Sequence, residues 1–84
     1  VNSKRLRTHE AIFEVPPRKD ITWHDVTSLF EALGATVTQG QGSRVRVALH
    51  DLTAVFHQPH PRPELPTYAV KDIRDFLEQA GELL

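Results

Sequence analysis

Between Ala35 and Phe56 the chain alternates apolar with polar or small residues, and this period-two run constrains its fold more than any other feature. Ala35 and Val37, then Val45, Val47 and Leu49, then Leu52, Ala54 and Phe56 fall on alternate positions. Such spacing belongs to antiparallel strands that are buried on one face and wetted on the other. The apolar face needs a second layer, and the flanking segments supply it. Val26, Leu29, Phe30 and Leu33 recur at i, i+3, i+4 and i+7 on one side of the run, and Val70, Ile73, Phe76, Leu77 and Ala80 form a similar stripe on the other. The expected architecture is helix-strand-strand-strand-helix, an α+β two-layer sandwich with both helices on one face of a three-stranded antiparallel sheet.

Local signals place the boundaries. Thr22 followed by Asp25 is a capping-box-like start, with Ile21 and Val26 positioned as a hydrophobic staple, and Gly34 supplies a left-handed stop, so the first helix runs from about Trp23 to Leu33. Gly40-Gln41-Gly42 reads as a three-residue hairpin loop, which sets Gln39 opposite Ser43 and Val37 opposite Val45. A two-residue turn at His50-Asp51 sets Val45 opposite Phe56 and Val47 opposite Ala54. This register places Thr38, Arg44 and His57 side by side on the outer face, with Thr36, Arg46 and Val55 in the next row. Pro59, Pro61, Pro63 and Pro66 exclude helix and central strand from 58 to 67. Thr67 is expected to cap the second helix and Gly81 to end it.

Residues 1–20 read as an N-terminal arm, and 21–84 as the domain proper. The arm is polar and basic from Lys4 to His9, apolar from Ala11 to Val15, and broken by Pro16-Pro17. It either docks through Ile12 and Phe13 or stays solvated. At 84 residues, with 39% apolar composition, the chain has material for one small core. It has no cysteine, which excludes disulfides, thiolate metal sites and a cysteine nucleophile, and fits a cytoplasmic setting. No apolar run approaches the roughly 20 residues of a membrane span, and no signal-peptide pattern is present, so a soluble, unexported chain without membrane contact is expected. The net charge of −1 lacks the basic excess usual in phosphate-gripping domains. The charges are uneven, however: residues 1–20 hold five Lys/Arg against three Asp/Glu, whereas Asp72, Asp75, Glu78 and Glu82 follow one another near the C-terminus.

Among five histidines, His57 and His60 in His57-Gln58-Pro59-His60-Pro61 form the densest polar constellation. Two imidazoles suit paired acid and base work. In RNA cleavage one takes the 2′-hydroxyl proton and the other protonates the leaving oxygen, while an arginine holds the phosphate. Arg44, opposite His57, supplies the arginine. The alternative is a pair of surface histidines in a proline-rich loop. Two imidazoles fall short of a zinc site, and neither a metal nor a small-molecule cofactor is expected. Gly40-Gln41-Gly42-Ser43 lacks the lysine and following helix of a nucleotide loop. Trp23 and Tyr68, at helix starts, either stack on a base or pack against the body of the domain.

The segments DVTSLFEALGA, GQGSRVRVAL, FHQPHPRPE and VKDIRDFLEQAG, in this order and spacing, resemble the HicA toxins of bacterial HicAB toxin-antitoxin pairs over about Ile21 to Leu84. The resemblance implies a double-stranded-RNA-binding-domain-like fold, mRNA interferase activity and a HicB-like antitoxin protein as partner. Two departures stand out. Family members typically carry a catalytic histidine directly after the Gly-Ser pair, where this chain has Arg44. They are also commonly basic, and this chain is not. His60 matches a histidine that many members carry after the third strand, and His57 has no clear counterpart.

The sequence therefore leads to a HicA-like toxin, a metal-independent endoribonuclease acting on mRNA. His57 and His60 are the candidate catalytic pair, and Ser43, Arg44, Arg46 and Arg62 the candidate RNA-binding residues. One rival is a catalytically inactive RNA-binding or antitoxin-docking module. Another is a protein-interaction domain whose outer sheet face never meets RNA.

Overall fold

The computed structural model describes residues 3–16, 18–59 and 62–82. Helix α1 (Ser3–Ile12) is followed by α2 (Trp23–Ala32), strands β1 (Thr36–Gln39), β2 (Arg44–Leu49) and β3 (Leu52–His57), and helix α3 (Thr67–Gln79). The sheet is antiparallel with strand order β1-β2-β3. The expected α+β arrangement is present, in a double-stranded-RNA-binding-domain-like fold, with one helix more than the periodicity revealed.

Helix α2 begins as its sequence dictates. Thr22 is the N-cap and its hydroxyl accepts the Asp25 N–H at 3.2 Å. Ile21 and Val26 on either side of the cap are both buried. Gly34 then adopts φ 90°, a conformation that costs any other residue a Cβ clash. At α3 the cap is Pro66 rather than Thr67: Pro66 is extended, with φ −67° and ψ 157°, and its carbonyl accepts from Ala69 and Val70. Thr67 is the first helical residue, because the proline's fixed φ already supplies the turn into the helix.

The core joins these elements at three phenylalanines. Phe30 of α2 stacks against Phe56 of β3 with centroids 5.9 Å apart, and Phe76 of α3 meets both edge-on, at 5.9 Å from Phe30 and 5.6 Å from Phe56. Around them lie Val45, Val47 and Leu49 from β2 and Val70, Ile73 and Leu77 from α3, all essentially inaccessible to solvent.

The second hairpin has the expected register, Val45 opposite Phe56 and Val47 opposite Ala54. His50 meets the demand of its two-residue turn by adopting φ 55°. The first hairpin differs. Val37 lies opposite Val47 rather than Val45, and Gln39 opposite Val45 rather than Ser43. Gly40 leaves the loop and joins the ladder, donating its N–H to the Arg44 carbonyl at 2.8 Å, so the turn is Gln41-Gly42-Ser43 with Gly42 at φ 60°. A side chain at Gly40 would crowd Arg44, because a Cβ there would lie 3.2 Å from the Arg44 oxygen. The shift moves each β1 residue by two places along β2, an even number, and so preserves which side chains face the core.

Residues 3–12 were expected to be an arm without assigned structure, but they form α1. Thr8, His9, Ala11 and Ile12 are buried, the last two within the same core cluster as the sheet and the other helices. Phe13 packs partly against that cluster. Arg74 and His9 tie α1 down. Arg74 of α3 donates to the carbonyls of Ile12 and Glu14, at 3.0 and 2.7 Å, placing a cation at the negative end of α1. His9, for which the sequence offered no role, hydrogen-bonds through Nε2 to the Glu82 carbonyl at 2.8 Å. Among the described residues no buried side-chain nitrogen or oxygen lacks a partner.

Replacing Phe76 by Ala will destabilise the chain by about 3–5 kcal/mol, since it removes the ring that contacts both other phenylalanines. Urea unfolding with a midpoint equal to the parent's would place Phe76 outside the core. Arg74→Ala will cost about 1–3 kcal/mol by stripping the last carbonyl of α1 and one just beyond it of their donor. Its signature is faster amide exchange in α1 than in α2.

Candidate nucleic-acid interface

With the helices packed on one side, the outward positions of the sheet are left open. In chain order they are Thr36 and Thr38 on β1, Arg44, Arg46 and Ala48 on β2, and Thr53, Val55 and His57 on β3. All are exposed except the half-buried Ala48. None is acidic. Neither Arg44 nor Arg46 forms an ion pair with a described carboxylate. A chain of net negative charge thus presents a locally cationic surface, and the near-neutral total conceals it.

Three of the expected site residues meet at one end of this face. Arg44 is the cross-strand partner of His57. Ser43, one residue earlier in the turn, brings its Oγ within 3.4 Å of His57 Nδ1. The Gln58 N–H donates to the Ser43 carbonyl at 2.7 Å and extends the ladder past the last strand residue. Gly40 is opposite Arg44 on the other side, so the guanidinium has no side chain beside it on β1. The row shared by Thr38, Arg46 and Val55 comes next. Thr38 was expected beside Arg44 and Thr36 beside Arg46; the two-residue shift of β1 moves both along.

Arg62 stands apart from the strands and faces a cleft of about 730 Å³ at the edge of the sheet, which His57, Lys19 and Tyr68 also line. The expected second imidazole, His60, lies outside the described residues. The cleft is assembled from distant segments. The Trp23 N–H donates to the Pro63 carbonyl at 3.0 Å and the Leu65 N–H to the Ile21 carbonyl at 2.8 Å, which binds the proline-rich segment to the start of α2. Arg18 pairs with Asp20 through two hydrogen bonds of 3.0 and 2.6 Å, on either side of Lys19. The hydrogen bond from Arg18, reinforced by its charge, holds the Asp20 carboxyl below the usual carboxylate range and raises the Arg18 guanidinium in turn.

Sequence reading missed Lys19 as a cleft residue. Its neighbours in space are far away in the chain, and no local pattern marks it. Tyr68 was recognisable as a candidate stacking group and is 71% exposed, whereas its counterpart Trp23 is buried. His50 and His9 both converge on Glu82, His50 Nε2 meeting the carboxylate at 3.1 Å and His9 the main-chain carbonyl. These two histidines serve the fold, away from His57. Among the described residues no three histidine or carboxylate side chains come together as metal ligands.

Comparison with known proteins gives one finding. A protein-family model described as HicA toxin of bacterial toxin-antitoxin matches residues 23–82, from the first residue of α2 to just beyond α3. Neither the curated proteins nor the solved structures yield a significant match.

Removing the Ser43 hydroxyl will disturb His57 selectively. In ¹⁵N NMR, Ser43→Ala will move the His57 Nδ1 resonance and leave that of the exposed His24 in place. An unchanged His57 signal would show that the 3.4 Å contact is not made in solution.

Proposed function

We propose, from the premise that the chain belongs to the HicA toxin family and is the toxin of a bacterial toxin-antitoxin pair, that it binds mRNA on the outer face of its sheet and cleaves it without a metal. The observation that carries this reading is the pairing of Arg44 with His57 on an exposed face free of carboxylates, with Ser43 on the histidine's Nδ1.

The chemistry follows from these groups. An arginine presents two parallel donors to a phosphate and stays charged at any pH the cell reaches. Arg44 and Arg46, two residues apart on one strand, suit successive phosphates of a strand laid along the face. When the Nδ1–H of His57 donates to Ser43 Oγ, the lone pair of Nε2 is left to accept a proton. His57 then takes the 2′-hydroxyl proton as general base, and the 2′-oxygen attacks phosphorus. The bond from phosphorus to the 5′-oxygen breaks, and His60 as general acid protonates that oxygen. The products are a 2′,3′-cyclic phosphate and a free 5′-hydroxyl. Arg44 stabilises the added charge on the phosphoryl oxygens. Arg62, in the cleft beside the strand end, is the remaining RNA contact in this reading.

The partner required by a toxin of this kind is an antitoxin. In this reading it is HicB-like and covers the outer sheet face together with the loop that follows His57, because occluding the RNA site is the most direct form of neutralisation. The setting is the cytoplasm, where mRNA is found.

One observation favours a second reading. Arg44 follows Gly42-Ser43 directly, where family members typically carry the catalytic histidine. A chain with this replacement can keep the RNA-binding face and lose hydrolysis, leaving a binding or antitoxin-docking module.

Variants separate the two. If the chain cleaves, His57→Ala will abolish cleavage and leave RNA affinity near the parental value, as expected for loss of an interaction made in the transition state. Arg44→Ala will weaken both binding and cleavage. His60→Ala will flatten one limb of a pH profile centred between about pH 5 and 8. A double His57→Ala, His60→Ala protein that cleaves at the parental rate would overturn the catalytic assignment. If the parent binds RNA and never cleaves it, the module reading replaces the enzyme, and Arg44→Ala and Arg46→Ala will still lower the salt slope of binding by about one each.

A further inference from the structure

The cleft beside His57 differs in character from the sheet face it adjoins. Its charged lining residues are balanced, Lys19 and Arg62 against Glu64 and Asp72. A phosphate would meet as much repulsion there as attraction. The rest of the lining is largely apolar or aromatic, and Tyr68 is 71% exposed, among the most exposed large apolar or aromatic side chains described. At about 730 Å³ the cleft is within the roughly 300–1,000 Å³ of ordinary small-ligand sites. A tyrosine ring left in water at the mouth of a near-neutral cleft offers a flat platform for a flat ligand, and His57 lies on the boundary between that cleft and the cationic strands.

We propose that this cleft receives an unpaired nucleobase, stacked on the Tyr68 ring, from a nucleotide next to the phosphate held by Arg44. The inference rests on the RNA-binding reading and divides its labour: the strands hold the charged backbone and the cleft holds a base. A base reaches the ring only when it is out of a duplex stack, so the ligand is single-stranded at that nucleotide. Stacking engages the π-face and not the charge, which gives the cleft an energetic signature distinct from that of the sheet.

The test is fluorescence anisotropy with an end-labelled, mixed-sequence single-stranded RNA about ten nucleotides long, 2′-O-methylated so that no 2′-hydroxyl is available for cleavage, at two salt concentrations. Tyr68→Ala will weaken binding by roughly 5- to 150-fold, the loss of one base–aromatic stack, with the salt slope unchanged. Tyr68→Phe will restore parental affinity, and both variants will melt with the parent because the side chain is exposed. Arg44→Ala will instead reduce the slope. If Tyr68→Ala binds like the parent while Arg44→Ala is weakened, the base site is overturned and the RNA-binding face stands. A loss that Phe does not restore, or one that lowers the salt slope, overturns it too. If Tyr68→Ala is weakened and Arg44→Ala is not, the sheet-face assignment falls and the placing of the base next to Arg44 falls with it, while the stack on Tyr68 stands. A parent that binds no RNA overturns both.

Discussion

The junction of Phe30, Phe56 and Phe76 is the contact on which the rest of the structure depends. Each ring comes from a different element, α2, β3 and α3, and each touches the other two. A chain of 84 residues has no cysteine and little apolar material to spare, so the layers are held without covalent cross-links and chiefly by burial. Edge-to-face and offset geometries add about 0.5–1.5 kcal/mol per aromatic pair beyond the area buried. The junction fixes the distance between the helical layer and the third strand, and so determines which side of β3 faces outward. His57, the residue after Phe56, faces outward because Phe56 faces inward.

The site proposed on the opposite face follows from that division. All three helices contribute to a core on one side of the sheet, and the outward side chains of the strands remain in solvent. Strand pairing then does the positioning. Two antiparallel partners hold Arg44 and His57 side by side through main-chain hydrogen bonds, and the turn before β2 adds Ser43. Such a site is precise because its residues belong to the ladder or to a short turn at its end. The Arg74 and His9 contacts hold α1 against the same core and leave the strand face untouched.

Where a signal is local and repeated, this sequence can be read directly. The two amphipathic stripes, the Thr22 cap, the Gly34 and Gly81 stops and the second hairpin register follow from side-chain period and turn chemistry, and the Arg44–His57 pair follows from that register. Helix α1 escaped because two polar residues, Thr8 and His9, occupy its buried face and erase the apolar stripe; the partner that makes His9 tolerable there, the Glu82 carbonyl, is at the far end of the chain. The first hairpin was misplaced by one turn residue because both Gly40 and Gly42 can end a loop, and only the tight approach of Gly40 to the Arg44 main chain decides between them. The cleft was illegible for the same reason as His9: Lys19, His57, Arg62 and Tyr68 come together through contacts between distant segments.

The central claim of the proposal is that RNA lies across the outer sheet face and the cleft at its edge, and not on the exposed sides of α1 and α2. Amide chemical-shift mapping of the full chain with a short single-stranded RNA tests it most directly. The account predicts the largest shifts at Arg44, Arg46, Val55 and His57, continuing to Tyr68 at the cleft. Shifts concentrated on the exposed sides of α1 and α2, with these strand residues unmoved, would contradict it.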